Sequence, residues 1–460
     1  MKQLLALLLV LMLFIPAAIA EEGSFYQPIP DVLRFTQVTS DKEYLRKDVW
    51  VRYTLPETAN DQVNAEMRDL ILAMSEAGRP ALNRATTNKQ YAYVDTGANI
   101  FRTGASVMSF LTTTRASVER QQVYVDFDAR VYDIATGERL TLASIFDADS
   151  AAWDLLAAAV RDQLSAYFPD QTADPAVLDV LCSHDGLLAT PFTLTPARLS
   201  LHYRANALYP GQDNTLMHVD VYYPALRPLM NAYGQAQTDN SHYRVIALTY
   251  DDGPAMGSSN TLQDKLREYG ANVTFFITGI NIKANHDILC REHDTGHEVA
   301  SHGWQHEYLT NSDKKKVLDW KERMDNAMLA YIGTVPHLMR APGGTFSPYS
   351  AAGQGLPLIH WSIISGDAVD VPDVNGIIRN LEHSAKPGAI VLMHDIKSDS
   401  PRYSEGILKN LEESNYLCVT ISELFSHCGI PLEPDVVYHS CVDEAAAMTQ
   451  VSVVTLSTMN

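Results

Sequence analysis

The 460-residue sequence is short of cysteine, short of basic charge and, past its first twenty residues, short of long apolar runs. Its five cysteines, Cys182, Cys290, Cys418, Cys428 and Cys441, form no Cys-x-x-Cys pair, which argues against a zinc ribbon or a dense disulfide framework. Cys418 and Cys428 are the nearest pair, and the odd count leaves at least one thiol unpaired; spacing alone does not give the connectivity. Lys and Arg number 35 against 55 Asp and Glu, a formal charge of −20 spread along the chain. Affinity for nucleic acid comes largely from cations that neutralise phosphates, so such a chain is a poor nucleic-acid binder. Any anionic polymer it meets must be recognised by a local cluster.

What is present begins with a leader. Met1-Lys2 precedes a nearly unbroken apolar run, Leu4 to Pro16, followed by Ala17-Ala18-Ile19-Ala20 and then Glu21-Glu22. A basic start, an apolar centre and small residues at −3 and −1 predict a signal peptide over 1–20, cleaved after Ala20. The competing reading is an uncleaved N-terminal membrane anchor. Both send the chain across a membrane. With 46% hydrophobic residues there is ample core material, and the length calls for more than one domain.

Residues 21–233 read as one mixed α+β domain. Val63, Met67, Leu70, Ile71 and Met74 stripe one face of a helix over Asp61–Ser75. Strand-like runs follow at Gln90–Val94, Val107–Thr113 and Val123–Tyr132, the last alternating apolar and polar as a half-buried strand does. A second helix is predicted from Ser150 to Tyr167, then strands at Phe192–Leu194, Leu199–Tyr203 and Met217–Tyr223. His202 and His218 each stand alone in these strand patterns and suggest no chemistry. The polar stretch 234–242 reads as a linker. Over 243–430 the rhythm changes to seven strand-like runs, His337–Ala341 and Leu358–Ile364 among them, alternating with helical ones, which predicts a parallel sheet or a closed β/α barrel. Residues 431–460 form a tail with no assignment.

In parallel β/α architectures, functional groups gather at the C-terminal ends of strands. The first predicted strand, Val245–Tyr250, ends in Asp251-Asp252-Gly253-Pro254, a turn that leaves two carboxylates at the rim. The third ends in Ser301-His302-Gly303-Trp304-Gln305-His306, with two imidazoles four residues apart. The fourth offers Arg340-Ala341-Pro342-Gly343-Gly344, the fifth Asp367 and the sixth His394-Asp395. Two imidazoles and one carboxylate with open positions make a catalytic divalent-metal site of the zinc type. The pattern is not His-Glu-x-x-His, because Gly303 follows the first histidine.

Thr249–Pro254, His302–His306, Arg340–Gly343, Trp361–Asp367 and Leu392–His394 together resemble, in order and spacing, the five motifs of the NodB-homology polysaccharide deacetylases. The resemblance covers roughly residues 243 to 427. It implies a distorted (β/α) barrel, of about seven strands here, that removes acetyl groups from an N-acetylated sugar polymer. Carried over by position, Asp252, His302 and His306 would hold the metal, zinc by default with manganese or cobalt as the other candidates. Asp251 would be the general base, held by Arg340, and His394 the general acid, oriented by Asp367. Gly343 would supply a backbone N–H to the oxyanion, and Leu392 would line the pocket for the acetyl methyl.

The N-terminal domain resembles, more diffusely, an extracytoplasmic domain of Gram-positive anti-sigma factors that sense lysozyme; it also precedes some peptidoglycan deacetylases. The paired architecture is similar to peptidoglycan N-acetylmuramic acid deacetylases. That implies a secreted, wall-associated enzyme whose partner is cell-wall glycan, with an N-terminal domain that binds wall polymer or a protein such as lysozyme. Rival readings are a deacetylase or acetyl esterase of chitin- or xylan-like polymers, and a non-catalytic wall-binding or sensory protein. The chain departs from the family pattern at Gly303, Gly343, Ile364 and Ala368. Gly343, where an aromatic is frequent, implies a more open floor.

Overall fold

The computed structural model describes residues 26–87, 89–309, 314–345, 355–369 and 372–441. The predicted leader over 1–20 and the end of the tail, 442–460, lie outside the described residues. No described helix is long and apolar enough to cross a membrane.

The N-terminal part is built on a seven-stranded sheet. Its strands are β1 (Thr36–Thr39), β2 (Glu43–Arg46), β3 (Val49–Glu57), β4 (Ala92–Thr103), β5 (Val107–Val118), β6 (Gln121–Asp133) and β7 (Glu138–Leu140). The helix Asp61–Gly78, capped by the Asn60 side chain, lays Val63, Met67 and Ile71 on one face of this sheet. A three-stranded sheet, β8 (Phe192–Leu194), β9 (Arg198–Arg204) and β10 (Leu216–Tyr222), packs with the helix Ala152–Ala166 into a second core. Strands β4 and β5 are buried along their whole length, whereas β6 alternates as its sequence predicts.

The C-terminal part is an α/β unit around β11 (Arg244–Asp251). Its neighbours are all parallel: β12 (Thr274–Ile277), β16 (Ile390–His394) and β17 (Tyr416–Cys418). On one side β12 pairs with β13 (Glu298–Ser301), and on the other β16 pairs with β15 (Ile363–Ile364). A short strand β14 (Leu358–Ile359) pairs with β18 (Val437–Tyr438). The described residues therefore form an α/β sheet whose ladder does not close into a barrel. The strand predicted over His337–Ala341 is reduced to single bridges, Ser301 to Met339 and Met339 to Leu358. The one strand predicted over Leu358–Ile364 is split into β14 and β15. The reason is Arg340, whose guanidinium takes the carbonyls of Ile359 and His360 at 3.2 and 3.0 Å, so they are spent on a side chain instead of a ladder.

The two parts share a core. Met67, Ile71 and Phe110 of the first cluster with Val245, Phe276 and Ile359 of the second. Segment 234–242 starts inside a helix, Ala232–Gln237, and is pinned by buried Asn240, which accepts from the Gly104 N–H and donates to Thr103 and Pro196. A buried ion network crosses the interface: Arg52 bonds Asp95 at 2.7 Å and spans both oxygens of Asp264, while Arg267 and Arg291 close the same carboxylates. The disulfide joins Cys428 to Cys441; Cys418, in β17, is free.

Candidate metal and acid–base centre

Register brings the two proton-handling candidates together. Asp251 and His394 are paired residues at the C-terminal ends of adjacent strands β11 and β16. Arg340 is wholly buried and donates to Asp251 Oδ1 and Thr249 Oγ1, both at 2.7 Å. Its guanidinium also stacks over the Phe276 ring, 4.1 Å from the centroid. Burial pulls its pKa down while Asp251 opposes the shift, so the cation persists with its partner in place.

Asp252 follows with φ of 79°, a left-handed conformation unusual for a residue with a Cβ. Its N–H bonds the Phe276 carbonyl and its own carbonyl accepts from Asn281 Nδ2, so the peptide is held on both sides. This turn aims the carboxylate at two imidazoles. Asp252 Oδ1 lies 3.5 Å from His302 Nε2 and 3.7 Å from His306 Nε2. The ligand atoms of all three residues fall within 4.8 Å of one another. His302 Nδ1 is 2.9 Å from the Arg340 carbonyl, which can only accept, so the ring proton sits on Nδ1 and the Nε2 lone pair faces Asp252. Burial lowers the pKa of His302 and favours this neutral form.

These donors fit a divalent cation. Asp252 Oδ1 is buried and has no hydrogen-bond partner, an expensive state for a carboxylate oxygen unless something positive sits beside it. An imidazole lone pair and a carboxylate oxygen facing each other at these distances repel, and a cation between them removes the conflict.

His394 stands opposite. Its Nδ1 is 2.9 Å from Asp367 Oδ1 and its backbone N–H donates to Asp367 Oδ2 at 2.7 Å. Burial works against its protonation, but the bond to Asp367 and the charges of Asp367, Asp251 and Asp252 outweigh it and raise the pKa above the ordinary imidazole value. Asp367 is itself satisfied by Ser365 Oγ at 2.8 Å and Tyr403 OH at 2.6 Å. Burial would raise its pKa, but His394 and these donors hold it below the usual carboxylate range.

Three supports had no role in the sequence reading, although Thr249 and Asp395 stand within or beside its motifs. Tyr403 sits in the helix Ser400–Glu413 and reaches Asp367 and the His394 carbonyl from outside every motif. Thr249 shares the Arg340 guanidinium, and alternation alone gives it no role. Asp395 is buried, accepts from Ser259 Oγ at 2.5 Å and is pushed by burial up to about 7. It packs so closely on the turn that a Cβ at Gly253 would lie 2.1 Å from its Oδ2, so Gly253 is there for contact as well as for turning. Its position beside His394 was the one available signal.

Gly343, φ 64°, does not leave an open floor as its lack of a side chain implies. A Cβ there would meet the Tyr308 ring at 2.0 Å; glycine admits Tyr308, whose ring centroid is 6.3 Å from that of His306. Leu392, 8% exposed, lies on β16 in register with Ile364 and Thr249.

Residues 238–355 match the sequence profile of the polysaccharide deacetylases. The chain is 33% identical over 180 residues to peptidoglycan-N-acetylglucosamine deacetylase PgdA of Listeria monocytogenes, covering 39% of this chain and 38% of that protein. It is 30% identical over 190 residues to peptidoglycan-N-acetylmuramic acid deacetylase PdaC of Bacillus subtilis, covering 41% and 40%. A peptidoglycan-N-acetylglucosamine deacetylase of Bacillus cereus is 32% identical over 196 residues, which are 40% of this chain and 89% of that protein. The chain thus spans well under half the length of the first two relatives and most of the third.

Proposed function

The chain belongs to the polysaccharide deacetylase family, and from that premise we propose that it hydrolyses N-acetyl groups of peptidoglycan sugars outside the cell. The reading is carried by one observation: an unpartnered buried carboxylate oxygen of Asp252 faces two imidazoles beside a base and an acid on neighbouring strands.

Asp252, His302 and His306 would hold the divalent ion; zinc suits the donors best, with manganese or cobalt as alternatives. When bound, such an ion polarises the amide carbonyl and acidifies water. Asp251 has one oxygen engaged by Arg340 and the other, Oδ2, free to take the proton from the attacking water. Arg340 holds that carboxylate in place. A backbone N–H at Gly343 would donate to the carbonyl oxygen as charge develops there. The C–N bond then breaks, and the sugar amine, too basic to leave as an anion, takes the proton carried by His394. Acetate and a free amino sugar result. Leu392 would line the pocket for the acetyl methyl.

We read the sheet as a distorted (β/α) barrel opened at the break between β14 and β15, the leader over 1–20 as an export signal or anchor, and the part before residue 234 as a module, joined to the α/β part through the shared core, that meets wall polymer. Acetate release from peptidoglycan, with and without chelator, tests the activity, and mass spectrometry of the resulting muropeptides separates glucosamine from muramic acid products. Metal-loaded protein that releases no acetate from peptidoglycan, chitooligosaccharides or acetylxylan would refute it.

A further inference from the structure

Where the N-terminal sheet leans on two helices of the α/β part, Ser258–Tyr269 and His286–Asp294, a cavity of ≈ 440 Å³ opens. Its sheet-side wall is aromatic. Trp50 stacks on Tyr93 with ring centroids 4.9 Å apart, and Tyr91 stands at an angle to both. Trp50 and Tyr93 are buried, but Tyr91 is 44% exposed. The facing wall comes from Met256, Gly257, Asn260 and Thr261 at the start of the helix Ser258–Tyr269, and from Asp287 and Ile288 in the helix His286–Asp294. Met256 is four residues beyond Asp252, so their Cα atoms are at most about 14 Å apart. At Met256 the cavity therefore comes within about 14 Å of the rim that carries the metal and acid–base residues.

Three features mark it as a site rather than a packing gap. Asp287 is 4% exposed and lines the cavity; its Oδ2 accepts from Ser117 Oγ at 3.0 Å, while Oδ1 has no hydrogen-bond partner. A buried acceptor in that state is suited to a donor brought by a ligand. The β5–β6 hairpin turns through Glu119 and Arg120 with φ of 51° and 67°. Glycine or asparagine would relax that left-handed turn, and the chain instead accepts strain to hold two charged side chains on the cavity wall. Finally, two of its cations are uncommitted. Arg52 and Arg291 are tied to Asp264, but Lys42, 4.4 Å over the Trp50 ring, and exposed Arg120 enter no ion pair among the described residues. In a chain of charge −20, that is the kind of local cluster an anionic polymer requires. The volume falls in the range of about 300–1,000 Å³ usual for small-ligand pockets and offers no broad face to a globular protein.

We propose that this cavity is a glycan subsite that holds the same substrate strand a few sugars away from the one that reacts. The exposed Tyr91 ring, backed by Trp50 and Tyr93, stacks on a sugar ring, Asp287 Oδ1 receives a hydroxyl or amide N–H, and Lys42 and Arg120 pair with carboxylates borne by the strand. The proposal rests on the function proposed above. In this arrangement the N-terminal module contributes directly to substrate length preference.

The test compares disaccharide and long-strand fractions of solubilised peptidoglycan on the metal-loaded full chain, its Tyr91→Ala and its Arg120→Ala variants. Neither residue belongs to the catalytic machinery. The long strand should be the better substrate for the wild type, and each variant should lose about fivefold to tenfold in kcat/KM on it, through KM, while disaccharide rates stay unchanged. The Arg120→Ala loss should shrink as salt is raised. Equal wild-type preference for both lengths, or equal losses on both, overturns the subsite. If the wild type deacetylates neither fraction, the function reading fails separately. The subsite is then judged by long-strand binding to the same proteins, followed by tryptophan fluorescence: binding weakened in both variants upholds it, and binding absent or unaltered overturns it.

Discussion

The substitution Asp367→Asn isolates the electrostatic part of the acid's environment. Asparagine keeps the size of the side chain; with its oxygen at the Oδ2 place it still accepts from the His394 backbone N–H and Tyr403 OH, while its NH2 faces Ser365 Oγ and His394 Nδ1, so the pocket should remain filled. What disappears is the negative charge 2.9 Å from His394 Nδ1. A hydrogen bond to a charged group is worth about 1.5–3 kcal/mol net, against about 0.5–1.5 for a neutral pair. The difference, about 1–1.5 kcal/mol, corresponds to about a tenfold smaller protonated fraction of His394 at any pH above its titration. The sign follows from the raised pKa of His394: the imidazolium persists above the ordinary range and is lost as pH rises through the folded value. Removing the carboxylate leaves burial, which lowers that value, so the alkaline limb of kcat/KM should move to lower pH. The assay is acetate release from muropeptides across pH with metal saturating. An alkaline limb that does not move would refute the assignment of His394 as the acid that Asp367 charges.

Asp252→Ala should abolish acetate release and reduce bound metal, measured by elemental analysis, while folding is retained; a variant with wild-type activity would sink the metal assignment. Asp264→Ala should destabilise the chain by about 1–3 kcal/mol, read from denaturant unfolding, because it leaves buried Arg291 without its carboxylate and Arg52 with Asp95 alone. Burial would raise the Asp264 carboxyl, but Arg291 and Arg267 hold it below the usual range, so its contribution is present at neutral pH and is lost as pH falls through that depressed folded value. Gly253→Ala should lower activity about tenfold or more and weaken metal binding, since a Cβ there drives Asp395 and the Asp252 turn apart; normal turnover would show that the turn has slack. Cys441→Ser opens the loop closed by the 13-residue separation from Cys428 and should cost about 2–3 kcal/mol by thermal or denaturant unfolding.

The sequence exposed the site better than the framework around it. Strand ends in a parallel α/β unit carry their chemistry on a few residues with fixed side-chain types, so Asp251, Asp252, His302, His306, Arg340, Asp367 and His394 could all be picked out along the chain and are found on one rim. The supports were less visible. Tyr403 acts from the middle of a helix, where one tyrosine in an apolar stripe looks like core. In the N-terminal sheet, β6 alternates and was legible, while β4 was foreseen only at its start. β4 is buried on both faces, so no period-two pattern marks it, and its polar residues are paired inside: Thr96 bonds Thr114 at 2.9 Å and Asp95 joins the arginine network. The break between β14 and β15 was hidden for another reason. It depends on where a distant guanidinium spends its donors, and no local propensity encodes that. The Cys428–Cys441 bond was equally out of reach, because the closer pair in sequence is not the closer pair in space.

Arg340 has a consequence beyond proton chemistry. Its side chain holds Asp251 while its backbone carbonyl selects the tautomer of His302. Base and metal ligand are therefore referenced to a single residue, like two instruments bolted to one bench. Drift in the surrounding loops moves both together and leaves their spacing intact. Changes at Gly303, Gly343 and Ala368 should then leave the spacing of base and ligand intact as long as that common mount stays buried.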